Sequence, residues 1–506
     1  MSDKRFVHSD ADGVGGAADL LLLGLCVLSS RWLLKSPLLY DLDSVNFALG
    51  VSEFSPELHQ PHPPGYYLYI KAATLLEWFI GEPNESMVAL SIMGTLLAVW
   101  SVYALALQWS GRSAARIAAA LVTLSPLVWF HGIVALTYGI ELGFSALTGL
   151  FCWRALNGDR RAIYYAALTL ALAAGVRQSG AVFLAPLFLY ALTGVQWRDR
   201  FRAVILGIVA VLAWLLPMLW EAGGLNGYLV PLLDLWARVP YRESLFTTPP
   251  SSLGIEILLR VILFLMVFTL TLGGAAVLTV WPCRVLDAGR RLFLWIWLLP
   301  GAIFFFLVYC SYSALGYMLI LAPPLFIITG MKAARLWYGR YLPWLGVGLV
   351  VLINSWLFFA LPYYTSYRSM QSYARDIEAI TSAVKENYPA ETTLVVAQDT
   401  HQYGFRHAGY YLPDYQVVTY PEMHFSDGIR VFAMHQRQTQ RLLKLPLAGM
   451  QRFIIIPSLG RPEEQQALFK RQFREGASRI DKVNGINFLT GDIPDLEVLY
   501  PSTLKE

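Results

Sequence analysis

The sequence is poor in charge and in cysteine. Only 15% of its 506 residues are Asp, Glu, Lys or Arg, the formal net charge is +4, and the basic residues form no continuous stripe. We therefore expect no nucleic-acid partner, because binding a phosphate backbone requires clustered positive charge. The four cysteines have the spacing of neither a zinc site nor a disulfide framework, and we expect them to be small packing residues.

Apolar residues, by contrast, make up 56% of the chain, a share typical of integral membrane proteins. A helix that crosses a bilayer needs about 20 mostly apolar residues, because its backbone must be hydrogen-bonded within the segment. No cleavage pattern follows the first apolar run, so an uncleaved membrane helix is expected there. Eleven runs are predicted to span the membrane: 17–35, 86–109, 114–131, 138–156, 161–176, 180–197, 203–221, 257–281, 292–311, 314–331 and 341–363.

A shorter candidate segment, residues 66–80, determines the predicted orientation. It contains Lys71 and Glu77 and is rich in Tyr and Trp, so we expect an interfacial helix that does not cross the membrane. If the N-terminus is inside, the basic clusters between the spans then all face the cytoplasm, as the positive-inside rule requires. These clusters consist of Arg112, Arg116, Arg154, Arg160, Arg161, Arg198, Arg200, Arg202, Arg284, Arg290, Arg291, Lys332, Arg335 and Arg340.

The composition changes after Pro362, where charge density rises and the apolar runs shorten. A helix is predicted over residues 369–387, and TLVVAQD and RFIIIPS are predicted to be short buried strands. Further helical stretches are expected around 401–411 and 461–475. This alternation indicates a small α/β soluble domain.

The predicted fold is therefore an all-α polytopic membrane domain of about eleven transmembrane helices followed by a small C-terminal α/β domain. The membrane domain is predicted to comprise residues 1–364, with 36–85 as a first external loop that carries juxtamembrane helices. The C-terminal domain is predicted to comprise residues 365–506 and to lie outside the cytoplasm.

The first external loop, YDLDSVNFALGVSEFSPELHQPHPPGYYLY, contains several candidate functional residues. Its segment SVNFALGVSEF has apolar residues on one helical face, with Asp43 beside the start of the helix. Asp43 could accept a proton at the mouth of the membrane domain, or it could only cap the helix. Alternatively, Asp41 and Asp43 could bind a divalent cation together with His59 or His62. The spacing leaves these alternatives open.

Two further charged residues fall near predicted external ends of spans. Glu141, in HGIVALTYGIELGF, either faces a polar cavity or extends to the interface. Arg177, followed by Gln178, is the basic residue in the short external turn between the fifth and sixth spans, and it departs from the positive-inside pattern. It is expected to bind an anion such as a lipid phosphate, or simply to anchor the helix at the interface.

The first loop resembles that of the C-type (GT-C) polyprenyl-phosphate-dependent glycosyltransferases, which include the protein O-mannosyltransferases and the aminoarabinose lipid A transferases. The family pattern D-[ES]-x-x-[YF]-A is matched by Asp43-Ser44-Val45-Asn46-Phe47-Ala48, and its His-Pro-Pro element by His62-Pro63-Pro64-Gly65. The predicted order of juxtamembrane helices, a multi-span body and an external C-terminal domain is also that of the family.

The resemblance implies roles for particular residues. Asp43 would act in the transfer step, Asp41 would be a supporting acid, and Glu141 would be the acid at the start of a later external-facing helix. Gly316 precedes Tyr317 where relatives often carry a basic residue, which gives Arg177 more weight as the ligand of the lipid phosphate. The implied substrate-binding residues are Arg177, Gln178, His59, His62, Tyr138 and Tyr317.

The implied activity is an inverting transfer of a sugar from a polyprenyl-phosphate donor in the membrane to a hydroxyl of an extracytoplasmic lipid, glycan or protein. A carboxylate takes the hydroxyl proton and a cation offsets the charge of the departing phosphate, so no cofactor is required, although a divalent cation could take part. The expected location is a bacterial inner membrane, with the N-terminus cytoplasmic and the C-terminal domain periplasmic.

Two alternatives come from other functional classes: a transporter or flippase of envelope lipids, and a non-catalytic envelope scaffold. The sequence has neither an evident duplication of its halves nor a matching pair of broken helices, the usual signs of a transporter.

Overall fold

The structure, a computed structural model, describes residues 10–238, 243–336, 342–400, 403–425, 428–457, 459 and 478–500. These residues form two compact units. The membrane unit consists of the described residues of Met1–Lys35 and Pro63–Ser369, and the sheet unit consists of those of Ser36–His62 and Met370–Glu506.

Helices make up most of the described chain. In chain order the α-helices of the described residues are Asp10–Leu33 (α1), Leu42–Ser52 (α2), Tyr67–Ile80 (α3), Pro83–Ser110 (α4), Arg112–Leu124 (α5), Pro126–His131 (α6), Tyr138–Leu156 (α7), Ala162–Val176 (α8), Gln178–Leu192 (α9), Trp197–Glu221 (α10), Gly224–Arg238 (α11), Leu253–Leu272 (α12), Ala276–Val280 (α13), Ala288–Leu307 (α14), Ala322–Leu336 (α15), Leu342–Phe359 (α16), Tyr367–Asn387 (α17) and Phe405–Tyr411 (α18).

The predicted spans are helical, but a count of eleven complete spans is not confirmed. Among the described residues, six segments are long and apolar enough to cross a membrane: Gly16–Leu33, Pro83–Ser110, Trp197–Glu221, Leu253–Val280, Ala288–Leu307 and Leu315–Leu336. Three shorter apolar helices, Ala162–Val176, Gln178–Leu192 and Leu345–Phe359, correspond to further predicted spans.

The predicted span 114–131 is interrupted at Ser125. Pro126 begins α6, and a proline ring disfavours the helical conformation of the preceding residue, so Ser125 takes an extended backbone conformation. The interruption leaves backbone carbonyls without their helical hydrogen bonds, and in a membrane protein other groups of the protein must donate to them. Arg31 donates to the carbonyl of Thr123, and Asn354 donates to the carbonyl of Leu124 at 2.9 Å, so the break is stabilised by other helices.

The helix α3 matches the segment predicted to lie in the interface. Its 14 residues extend over about 21 Å at 1.5 Å per residue, less than the roughly 30 Å hydrocarbon core of a bilayer. Tyr67 and Lys71 donate to the Glu221 carboxylate at the end of α10, at 2.8 and 2.7 Å. The length agrees with the interfacial prediction, while the side on which each loop lies stays a prediction.

The sheet unit is built around a mixed sheet. The strands of the described residues are Thr393–Gln398 (β1), Gln416–Tyr420 (β2), Met423–Phe425 (β3), Gly428–His435 (β4), Gln438–Leu442 (β5), Arg452–Ile455 (β6), Ser478–Val483 (β7) and Ile486–Asp492 (β8). Their order is β3-β4-β2-β1-β6-β8-β7, with β5 also paired to β4. β1 runs parallel to both β2 and β6, and the other pairs are antiparallel.

The two predicted strands are confirmed as β1 and β6, and the helix predicted over 369–387 is confirmed as α17. Both strands are buried at the centre of the sheet, where Leu394, Val396, Phe453 and Ile455 form the core. Several outer strands were not predicted, because partly exposed strands such as β7 lack a continuous apolar run. The helix predicted around 461–475, and Arg340, lie outside the described residues.

The first half of the predicted external loop belongs to the sheet unit. Arg406 of α18 donates to the carbonyl of Leu58 at 2.7 Å, and the backbone N–H of Leu39 donates to the Tyr411 hydroxyl at 2.8 Å. These bonds hold residues 36–62 against α18. The predicted division of the chain therefore differs from the compact units, which assign this stretch to the C-terminal part.

Candidate active site

Tight packing of two helices positions Glu141 in the membrane unit. Gly139 and Gly143 form a G-x-x-x-G pattern on α7, and small residues at this spacing let membrane helices approach closely. A Cβ atom on Gly143 would lie 2.5 Å from the carbonyl oxygen of Gly94 on α4, so no side chain fits there. Glu141 lies between the two glycines, in the first turn of α7, and this contact fixes its helical turn.

The Glu141 carboxylate is buried and bound by two donors. The Thr137 hydroxyl donates to Oε1 at 2.6 Å, and Arg177 donates to the same oxygen from Nη1 at 3.2 Å. The side chains of Glu141 and Arg177 are only 7% and 4% exposed. Loss of either partner would leave the other charge buried without compensation, which is strongly unfavourable.

Three tyrosine rings surround the Arg177 guanidinium. Its Cζ atom lies 3.4 Å from the ring centroid of Tyr317, 5.4 Å from that of Tyr138 and 5.6 Å from that of Tyr66. A cation this close to an aromatic face is attracted by the ring quadrupole. The rings therefore stabilise the charge of Arg177 without using its N–H groups.

The ion pair leaves hydrogen-bonding capacity unused on both partners. Among the described residues, Nη1 is the guanidinium nitrogen of Arg177 that has an acceptor, while Nε and Nη2 have none. Both donors to Glu141 bind Oε1, so Oε2 is not engaged by the described part of the chain. A guanidinium with free N–H groups is suited to bind a second anion such as a phosphate.

Gln178, at the start of α9, has a different contact from its neighbour Arg177. Its Nε2 atom donates to the carbonyl oxygen of Pro64 at 2.9 Å. The bond ties the turn between α8 and α9 to the Pro63-Pro64-Gly65 part of the His-Pro-Pro element. Gln178 therefore holds the segment that leads into Tyr66.

The two aspartates of the first loop have different environments in the sheet unit. Asp41 is the N-cap of α2: its side chain accepts a hydrogen bond from the backbone N–H of Asp43 at 2.9 Å. Asp41 is 7% exposed. The alternative in which Asp43 serves as the cap is therefore wrong, because the helix begins at Leu42, two residues earlier than a cap at Asp43 requires.

Asp43 lies in the first turn of α2 and faces His62. Its Oδ1 atom is 3.4 Å from Nδ1 of His62, at the outer limit for a hydrogen bond, and the ring of His62 stacks on that of Phe47 with 6.0 Å between centroids. The Asp43 side chain is 24% exposed and that of His62 is 13% exposed. Asp43 thus combines partial exposure with an imidazole neighbour.

His59 has another neighbour within the sheet unit. Its ring centroid lies 6.1 Å from that of Phe432 on β4, and its backbone has a positive φ of 56°. Within the described part of the chain, no group of three or more His, Cys, Asp or Glu side chains is arranged to hold a metal ion. The cation site predicted on the first loop and the role of Asp43 as a proton acceptor stay predictions.

The structure therefore brings Glu141, Arg177, Tyr138 and Tyr317 together in one unit, and Asp41, Asp43 and His62 in the other. Sequence reasoning missed two members of the first group. Tyr66 directly follows the His-Pro-Pro-Gly element, and Thr137 stands four residues before Glu141, a spacing at which helical residues meet. Both features are visible in the sequence, but neither by itself indicates a functional residue.

Part of the chain matches a known protein family. Residues 61–220, which include the whole His62-Pro63-Pro64 element, Glu141 and Arg177, match the family model described as dolichyl-phosphate-mannose-protein mannosyltransferase. No curated protein matches the sequence significantly.

Solved structures share the architecture at low sequence identity. ArnT from Cupriavidus metallidurans bound to undecaprenyl phosphate is similar over 95% of this chain and 97% of its own, with a TM-score of 0.59 and 13% identity. Its apo state is similar over 95% and 98%, with a TM-score of 0.59 and 12% identity. An Archaeoglobus fulgidus oligosaccharyltransferase tethered with an acceptor peptide has a TM-score of 0.47 and 13% identity, over 79% of this chain and 63% of its own.

The likeness to ArnT extends over nearly the whole of both chains, and the family match covers the segment that carries Glu141 and Arg177. The resemblance predicted from the first loop is thereby confirmed: the chain is an integral membrane protein with the fold of the GT-C glycosyltransferases.

Proposed function

We propose that the protein transfers a sugar from a polyprenyl-phosphate donor to a hydroxyl of an extracytoplasmic acceptor, with inversion at the anomeric carbon. The observation that carries the proposal is Arg177, a buried cation with one carboxylate contact, unused N–H groups and three tyrosine rings around it. A lipid phosphate would supply the acceptor oxygens, and its polyprenyl tail would stay in the bilayer. The undecaprenyl phosphate bound to ArnT, a protein of the same fold, supports this donor class.

In the proposed reaction the acceptor oxygen attacks the anomeric carbon of the donor. The bond from that carbon to the phosphate oxygen breaks, and its electron pair stays on the phosphate. The hydroxyl proton passes to Asp43 as general base, and Arg177 offsets the charge that develops on the departing polyprenyl phosphate. A phosphate leaves as a stable anion, so the reaction needs no acid to protonate it.

The remaining residues are assigned supporting parts. Glu141 orients the guanidinium through Nη1, and Tyr138 and Tyr317 enclose its face. His62 lies beside the Asp43 carboxylate, where it can orient it. Gln178 acts through the backbone of the His-Pro-Pro element.

Asp41 is assigned to the helix cap, and His59 takes no part in the proposal. No divalent cation is required by these steps. We infer that the reaction takes place at the periplasmic side of a bacterial inner membrane, and that sugar and acceptor are chosen by residues beyond those named here.

The test is the binding of undecaprenyl phosphate to the purified protein in nanodiscs. The first variant is the double substitution Arg177→Gln with Glu141→Gln, which leaves no unpaired buried charge. The second, Arg177→Lys, keeps a cation at this position. We expect the double variant to fold and to bind the lipid at least tenfold more weakly, since hydrogen bonds to charged groups contribute about 1.5–3 kcal/mol. Arg177→Lys should retain part of the affinity.

Equal binding by the wild-type protein and the folded double variant would refute the role of Arg177. Uptake of the intact lipid-linked sugar into vesicles, without transfer to any acceptor, would favour the transporter alternative.

A further inference from the structure

His131 is a buried imidazole that the proposed reaction leaves unused. It ends α6, the short helix that follows the break at Ser125, and only 2% of its surface is exposed. Neither Nδ1 nor Nε2 has a hydrogen-bond partner among the described residues. A buried polar group without a partner is destabilising, so His131 lowers the stability of the folded protein unless a ligand pairs its nitrogens.

His131 adjoins the tyrosines around Arg177. Its ring meets the ring of Tyr138 edge to face, with 4.8 Å between centroids, and the guanidinium of Arg177 lies against that same tyrosine. A Cβ atom on Gly316 would lie 2.7 Å from Cε1 of His131 and 2.2 Å from Cδ2 of Tyr138. Gly316 directly precedes Tyr317, so the imidazole contacts the segments that carry two of the three rings.

The backbone after His131 is irregular although it is buried. Residues 132–137 connect α6 to α7, and the Ser91 hydroxyl lies 3.0 Å from the carbonyl oxygens of both Val134 and Leu136. Irregular backbone at membrane depth is tolerated where it is enclosed by protein or lines a cavity. The connection runs from His131 directly to Tyr138 and Glu141, so three polar side chains of the candidate site are carried by one interrupted helical segment.

The chemistry of the imidazole restricts the kind of ligand that can pair both nitrogens. A neutral imidazole offers one N–H donor and one nitrogen acceptor on different edges of the ring. A phosphate offers acceptors only and would satisfy one of the two nitrogens. Sugar hydroxyls both donate and accept, so neighbouring hydroxyls of a sugar can satisfy both.

We propose that His131 binds the sugar of the lipid-linked donor, with one ring nitrogen donating to a hydroxyl oxygen and the other accepting from a second hydroxyl. The inference rests on the proposed function, in which Arg177 binds the phosphate of the same donor. His131 is then a specificity-determining residue, because a site with two buried polar groups discriminates against a donor that leaves them unpaired.

The test measures the binding of five lipids to each variant: undecaprenyl phosphate alone, and the undecaprenyl-phosphate derivatives of glucose, galactose, mannose and 4-amino-4-deoxyarabinose. His131→Phe keeps the ring shape and removes both nitrogens, while His131→Gln keeps a donor and an acceptor. His407→Phe is the matched control, because His407 is the other fully buried imidazole of the described residues, within the sheet unit.

Wild-type protein should bind at least one sugar-bearing lipid more tightly than undecaprenyl phosphate. His131→Phe should weaken binding of that lipid about tenfold, as expected for two neutral hydrogen bonds, and should leave binding of undecaprenyl phosphate unchanged. His131→Gln should recover part of the preference, and His407→Phe should keep all of it. Without ligand, His131→Phe should melt at the same or a higher temperature, since it removes two unpaired buried groups.

A folded His131→Phe protein that keeps the wild-type preference for the sugar-bearing lipid would overturn the inference. Equal wild-type affinity for all five lipids would do the same. Failure of the wild-type protein to bind undecaprenyl phosphate would instead refute the function on which the inference rests.

Discussion

Glu141 and Asp43 are both acids near the start of a helix, yet their surroundings differ. Glu141 is almost fully buried and its Oε1 atom accepts from both Thr137 and Arg177. Asp43 is 24% exposed, and its side chain faces the imidazole of His62. A buried carboxylate bound to an arginine holds that arginine in place, whereas a partly exposed carboxylate is accessible to a substrate hydroxyl.

This difference separates two functions that the sequence alone could not divide. The resemblance assigned both Asp43 and Glu141 to the reaction, and the spacing of Asp41 and Asp43 left a shared cation site open. The geometry shows Glu141 as the partner of Arg177, which we propose binds the phosphate, and the exposure of Asp43 supports our proposal that it is the base. Asp41 is bound to the start of α2 and supports its neighbour by fixing the helix.

The largest expected effect concerns the buried pair. Arg177→Ala leaves the Glu141 carboxylate uncompensated and should lower the free energy of unfolding of the membrane unit by about 3–5 kcal/mol. The double variant Arg177→Met with Glu141→Leu removes both charges and should recover most of that loss. Thermal unfolding in nanodiscs, followed by tryptophan fluorescence, measures both. If the single variant is as stable as the double variant, the pair is not the buried contact described here.

A smaller effect concerns the sheet unit, where burial lowers the pKa of His407 to about 3. In the unfolded chain the His407 imidazole has a pKa near 6.5, so below that pH it binds a proton that it does not bind in the folded state. The free energy of unfolding should therefore fall as the pH drops below about 6.5. At pH 5 the expected loss is about 2 kcal/mol. Hydrogen exchange of the α18 amides measures it, with the membrane helices as internal reference.

The control for this prediction is His407→Phe, which has no imidazole to titrate. Its α18 amides should lose much less protection between pH 6.5 and pH 5. An equal loss in both proteins would assign the acid sensitivity to another group.

The smallest effect concerns the helix cap. Asp41→Ala should destabilise α2 by about 1 kcal/mol, whereas Asp41→Asn should have almost no effect because Asn caps helices as well as Asp does. Hydrogen exchange of residues 43–46 reports on the cap directly. A comparable loss in both variants would mean that the charge of Asp41, and not its hydrogen bond to Asp43, is what the helix needs.

Apolar run length predicted much of the membrane unit, because bilayer thickness limits helix length directly. It failed where a helix breaks: Pro126 was visible, but the run around it was apolar throughout, and the groups that satisfy the break, Arg31 and Asn354, come from distant segments. Buried strands such as β1 were predicted by the same logic. Partly exposed strands such as β7 were not, since their stability depends on sheet partners elsewhere in the chain.

In the candidate site, too, features of a single segment could be predicted, whereas contacts between distant segments could not. Glu141 and Arg177 were identified because an isolated charge in an apolar run is costly and therefore conspicuous. Their pairing, and the rings of Tyr66 and Tyr138 around the cation, could not be predicted, because they depend on how three helices pack. His131 was overlooked because a single histidine in an apolar run carries no pattern; only the lack of a partner for its two nitrogens singles it out.

The most direct test of the account is the rate of sugar transfer by Asp43→Asn and Asp41→Asn under single-turnover conditions with a radiolabelled undecaprenyl-phosphate sugar. Both substitutions keep the shape of the side chain and remove one carboxylate, and the two positions are two residues apart. The account predicts that Asp43→Asn lowers the rate by about 10²–10⁴-fold with unchanged donor binding, as expected for loss of a general base, while Asp41→Asn transfers at nearly the wild-type rate. Wild-type transfer by Asp43→Asn, or an equal loss in both variants, would contradict it.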